Sequence, residues 1–87
     1  MTEQEFRALL AADGIETVVL VERQPGALGT HTHPFAARAL ILEGEITIVS
    51  ASGEQRCGPG DTFQLMADEP HTESYGPQGV RYLAGRK

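Results

Sequence analysis

The stretch ARALILEGEITIVSASGEQRCGPGDTFQLM, residues 37–66, decides the fold class. Ala37 to Leu42 and Glu45 to Ser50 read as two strands separated by Glu43-Gly44. Ser52-Gly53 turns the chain into a third, Glu54 to Cys57. Gly58-Pro59-Gly60-Asp61 is a second tight turn and leads to a fourth, Thr62 to Met66. Short β-branched and apolar runs punctuated this regularly by Gly and Pro predict an all-β sandwich or barrel.

The pattern continues outward in both directions. Upstream, Thr17-Val18-Val19-Leu20-Val21-Glu22 is a further strand ending at the turn Gln24-Pro25-Gly26. Downstream, Asp68-Glu69-Pro70 turns into His71 to Tyr75, and Gly76-Pro77-Gln78-Gly79 leads to Val80 to Ala84. Only the first residues break the pattern. Thr2 followed by Glu5 fits a capping box, Phe6, Leu9 and Leu10 recur at helical spacing, and Asp13-Gly14 is a stop. The expected organisation is an N-terminal helix within residues 1–14 packed on a barrel of residues 15–87.

At 87 residues the chain has room for one core. Area scaling gives about 5,000 Å² folded against roughly 13,600 Å² unfolded, a modest core that a metal or a second subunit would reinforce. The net charge is −5 with the basic residues scattered, so no stripe exists to bind nucleic acid or an anionic membrane. No apolar run approaches the roughly 18 residues of a membrane span, and the N-terminus lacks a signal-peptide pattern. The single cysteine, Cys57, has no partner for an internal disulfide and no nearby base to activate it. These features lead to the expectation of a cytoplasmic domain.

The candidate chemistry lies in three histidines, His31, His33 and His71. His31 and His33 are two apart, so on an extended strand both imidazoles share a face, and Pro34 breaks that strand. His71 opens another strand after a Pro turn. Strands of a small barrel face one another across its interior, where three imidazoles suffice to hold a divalent metal with positions left open.

The order Gly26-(x)4-His31-Thr32-His33-Pro34, Ile41-Leu42-Glu43-Gly44-Glu45, Pro59-Gly60-Asp61, Pro70-His71 resembles both motif regions of the cupin family, over residues 25 to 75. The resemblance implies an all-β fold, a single cupin jelly-roll barrel with a short N-terminal α-helix. It implies His31 and His33 as the first two metal ligands and His71 as the last. One departure stands out: the family's glutamate ligand, five residues after the second histidine, is replaced here by Arg38. A guanidinium stays protonated and cannot coordinate a metal.

Three readings of Arg38 compete. It swings aside from a three-histidine metal and receives a substrate carboxylate, it pairs with Glu73 inside the barrel, or it replaces the metal's charge and binds an anion. The favoured expectation is that Glu73 anchors Arg38 while the histidines keep the metal. Glu73 shares the face of His71, and a displaced fourth ligand or a surface glutamate are its other readings. Tyr75, on that same face, and Gln64, a polar residue between Phe63 and Leu65, complete the candidates for contacting substrate or supporting the ligands.

The expected cofactor is one divalent transition metal, Fe, Zn, Ni, Mn or Cu. The expected partners are a small molecule, with a carboxylate as the group Arg38 would select, and a second copy of the chain. A homodimer is expected because both faces of Val18-Val19-Leu20-Val21 are apolar. Two function classes stand open. One is a metal-dependent enzyme of dioxygenase-like or Lewis-acid type. The other is a non-catalytic small-ligand-binding or sensor barrel, with or without metal, in which Arg38 binds an anionic group.

Overall fold

A computed structural model describes all 87 residues. Helix α1 (Glu3–Ala12) is followed by β1 (Thr17–Arg23), β2 (Gly26–His31), β3 (Ala37–Ser50), β4 (Gly53–Cys57), β5 (Thr62–Leu65) and β6 (His71–Arg86). All pairings are antiparallel. The capping box forms, with Thr2 Oγ1 accepting from Glu5 N–H and Glu5 accepting from Thr2 N–H.

Two pairs of expected strands are each one long strand. Ala37–Ser50 runs unbroken through Glu43-Gly44, and His71–Arg86 runs through Gly76-Pro77-Gln78-Gly79. These two strands pair along their lengths and form the spine of the molecule. Gly44 and the four residues 76–79 mark a bend in the spine rather than chain reversals. On one side of it lies the half-sheet β1, late β6, early β3, β5. On the other lies β2, early β6, late β3, β4.

The bend changes side-chain parity. Ala37, Ala39 and Ile41 are buried, then Ile46 and Ile48; on β6, His71 and Glu73 are buried, then Val80, Tyr82 and Ala84. Each strand advances an odd number of residues across the register shifts between Ile41 and Ile46. A shift of one residue moves the following side chains to the other face, so both halves of each strand turn inward as the sheet curls over. One cluster joins the halves, with Ile46, Ile48 and Cys57 meeting Val21, Phe63, Val80 and Tyr82.

Backbone crowding at the bend accepts only glycine. Gly44 has φ +78°, and a Cβ there would collide with the Gly79 carbonyl. Gly79 has φ +76° and packs against the Arg23 carbonyl in the same way.

Helix α1 covers the outside of the first half-sheet. Phe6 and Leu10, both buried, meet Ile15, Leu40 and Leu83, with Val18 at the margin. The outer apolar face read from β1 is thus partly covered from within the chain, while Leu20 stays exposed. Burial pushes the Cys57 thiol up, with Asp61 adding to the effect, and its Sγ–H donates to the Thr62 carbonyl at 3.6 Å. That environment suits a packed, unreactive thiol. No helix is long and apolar enough to cross a membrane.

Candidate metal centre

Strand β2, which lies within the segment expected to turn at Gly26, runs along the first half of β6. Leu28 pairs with Glu73, and His31 pairs with His71. Three residues of β2 therefore oppose two of β6, a bulge that puts His31 rather than Thr30 across from His71. Without that extra residue, Leu28 and His31 would face opposite sides. With it, both reach the interior. His33 follows just beyond the strand end.

His31, His33, His71 and Glu73 each offer a ligand atom, all within 4.8 Å of one another. The imidazole centroids are 4.2 Å apart for His31–His71, 4.8 Å for His33–His71 and 5.5 Å for His31–His33. His71 and Glu73 are buried.

The hydrogen bonds assign the ring protons. Nδ1–H of His31 donates to the Gly29 carbonyl at 2.7 Å, and Nδ1–H of His71 donates to the Glu69 carbonyl at 2.9 Å. A carbonyl only accepts, so each neutral ring keeps a bare lone pair at Nε2. Both Nε2 atoms face one oxygen, Glu73 Oε2, at 3.0 and 3.2 Å. Three lone-pair donors converging on one point repel unless a proton or metal cation lies among them.

His33 adds a second sign of the same kind. Its Nδ1 is buried with no hydrogen-bond partner, and its ring stacks on Phe35 at 4.9 Å and 1°. Burial, then the neighbouring His71 and His31, hold its pKa below the usual imidazole value. That favours the neutral ring a metal requires. Tyr75 donates its hydroxyl proton to Glu73 Oε1 at 3.2 Å and holds the carboxylate from behind. Burial and the Glu73 charge push the Tyr75 phenol up. Backbone carbonyls on two ring N–H groups and a hydroxyl on the carboxylate are the outer partners that orient metal ligands. The donor set fits a divalent transition metal.

Above the cluster opens a cavity of about 190 Å³. Its apolar lining includes Val21, Leu28, Phe35, Phe63, Leu65 and Tyr82, and its charged lining is Glu73, Arg23 and Arg86.

Arg38 and Gln64 are elsewhere. Arg38 Nη1 pairs with Asp13 Oδ2 at 3.2 Å, at the C-terminal end of α1. The expectation that Glu73 anchors Arg38 is corrected: strand alternation puts Ala37 and Ala39 inside and Arg38 outside, under the helix. Arg38 is likewise absent from the lining of that cavity, where two of its three readings had it receive an anionic group. Gln64, the strand partner of Arg38 across β3–β5, is exposed on that outer face. The residues the sequence reading missed are Phe35, Arg23 and Arg86. Arg23 is two residues after Val21 and Arg86 two after Ala84, so the same alternation would have pointed both inward.

The curled antiparallel sheet has the cupin fold, and the histidine cluster lies inside one end of it. An RmlC-like cupin from Shewanella frigidimarina NCIMB 400 matches with a TM-score of 0.67 at 18% identity, over 80% of this chain and 63% of that one. A protein of unknown function from Rhizobium leguminosarum bv. viciae 3841 matches at 0.75 and 21%, over 80% and 67%. Bacillus subtilis oxalate decarboxylase, a protein with Mn(II) centres, matches at 0.65 and 28%, over 80% of this chain and 20% of that one. The chain thus spans between one fifth and two thirds of the length of these structures. No curated protein matches it. Residues 20–84 match the AraC-like ligand binding domain, and the chain belongs to that family.

Proposed function

We propose that the chain is a metal-dependent small-molecule cupin in which His31, His33, His71 and Glu73 hold one divalent transition metal at the base of the cavity. The observation that carries this is the convergence of two assigned Nε2 lone pairs on Glu73 Oε2. The Mn(II) centres of the decarboxylase it resembles support the same reading. A metal there would supply Lewis-acid activation of a bound oxygen group, with coordination positions left over for a small molecule. Around it, the protein's own residues orient the ligands and exclude water from the apolar walls, and burial favours the neutral form of His33.

Catalysis on a small molecule is the leading reading. Ligand sensing is the second, favoured by the match to a ligand-binding domain family. Fold alone does not separate them. Turnover does: oxygen consumption or product release from a bound small molecule marks the enzyme, and saturable binding without conversion marks the sensor.

The experiment is metal content per chain of protein purified without an affinity tag, beside the His31→Ala/His33→Ala double variant. Near one metal per wild-type chain, lost in the variant, is the expected result. No metal in the wild type after incubation with manganese, iron, zinc and nickel overturns the reading.

A further inference from the structure

Of the arginines, Arg7 holds Glu3, Arg38 holds Asp13, and Arg81 holds Glu22 and Glu43. Arg23, Arg56 and Arg86 hold no carboxylate, although acidic residues outnumber basic ones twelve to seven in this chain, and of the three only Arg23 and Arg86 are near the histidines. Both line the cavity above the histidine cluster. They arrive there from different strands by the same alternation, Arg23 beyond Val21 on β1 and Arg86 beyond Ala84 on β6.

Each is placed by contacts that leave donors free. Arg86 lies over the Phe35 ring, its guanidinium carbon 4.7 Å from the centroid, and that ring in turn stacks on His33. A guanidinium held over an aromatic face makes that contact without using its N–H donors. Arg23 donates from Nη1 to the Glu22 carbonyl at 3.2 Å and also reaches the Tyr75 hydroxyl, which leaves most of its five donors free. The cavity's formal charge, with neutral imidazoles, is two guanidiniums against one carboxylate. A divalent metal would raise the excess further.

We propose that Arg23 and Arg86 are the specificity-determining residues of this cavity and select a small carboxylate carried on an apolar body. The inference rests on the reading of this cavity as the ligand site. Planar forks match a carboxylate two N–H groups at a time, and the aliphatic and aromatic walls take the rest of the molecule. The space of about 190 Å³ suits a small molecule. Arg38, given this role on sequence grounds, is on the far side of the sheet.

The test is calorimetric titration of zinc-loaded protein with benzoate and butanoate, against benzamide, butanamide and inorganic phosphate. At least one carboxylate is expected to bind tenfold or more tightly than its amide. Arg23→Gln and Arg86→Gln are each expected to lose that preference with zinc content and circular dichroism unchanged, and Arg38→Gln to keep it. Arg86→Lys, which retains charge without the fork, falls between. Equal binding of acids and amides, no binding of either acid, tighter binding of phosphate, or an undiminished preference in both glutamine variants overturns the proposal. The same titrations on metal-free protein separate the two readings, because both guanidiniums remain there. A carboxylate preference in a protein that takes up no metal upholds the arginines and overturns the metal centre. Metal uptake without that preference does the reverse.

Discussion

His31 Nε2 and Glu73 Oε2 meet at 3.0 Å although the two residues are 42 apart in the chain. The Gly29 carbonyl takes the ring's other nitrogen, so the contact places a lone pair against a carboxylate oxygen. His71 repeats the arrangement on the same oxygen at 3.2 Å.

This geometry separates the effect of a metal from the effect of charge. Glu73→Gln replaces the anionic oxygen with an amide that can donate to an imidazole lone pair. The variant is expected to bind zinc at least about tenfold more weakly, the order seen when ligand shells are disturbed. The metal-free variant is expected to melt no lower than metal-free wild type. Zinc titration and thermal unfolding of the two apoproteins check both halves. Unchanged affinity would remove Glu73 from the ligand set.

The helix covers the outside of the first half-sheet, whereas the histidine cluster lies inside the curl on β2 and early β6, so their energetics should separate. Phe6→Ala deletes a buried ring between α1 and β3 and should cost about 3 kcal/mol. Arg38→Gln breaks a partly exposed ion pair and should cost less than about 1 kcal/mol. Both are expected to retain full metal content where folded. Urea unfolding with metal analysis of the same samples tests this, and metal loss in a folded Arg38→Gln protein would contradict it.

The bend in the spine predicts an intolerant glycine. Gly44→Ala meets both a left-handed backbone and the Gly79 carbonyl, so it should cost at least about 2 kcal/mol or prevent folding. Gly53→Ala has a positive φ of 124° but open space around it, and should be milder. Comparing their urea midpoints isolates the steric part.

Alkaline pH reports on Tyr82. Burial, and then the Glu73 charge, push its phenol up to about 12 from 10, and Tyr75 is raised as well. A folded-state pKa above the unfolded one contributes stability that is complete below pH 10. It is lost as pH rises towards 12, because the unfolded chain releases its proton first. Tyr82→Phe should therefore flatten the fall in stability above pH 10. The chain has two tyrosines and no tryptophan, so near-ultraviolet absorbance follows tyrosinate directly. A half-developed tyrosinate signal at pH 10 in folded protein, as two unshifted phenols would give, would contradict the burial argument.

Much of the fold was legible because it is written locally. The capping box at Thr2 and Glu5, the alternation through Ala37–Leu42, and the Gly-Pro turns act over a few residues and survive reading one window at a time. The readings at Glu43-Gly44 and at Gly76–Gly79 failed for a physical reason. A positive-φ glycine serves a chain reversal and a bend in a continuous strand equally well, and the partner strand decides which occurs.

The site divides along the same line. His31, His33 and His71 could be named from the sequence because few residue types supply neutral nitrogen ligands and the spacing of the first two is local. Two outcomes needed the folded sheet. Whether Arg38 or its neighbours face inward depends on parity set by register with β6. Whether His31 meets His71 depends on one extra residue in β2. Residue chemistry and local periodicity belong to the sequence by itself, whereas the facing of each side chain belongs to strand pairing. A one-residue shift there exchanges interior for exterior, and in this chain it put Glu73 among the histidines and Arg38 under the helix.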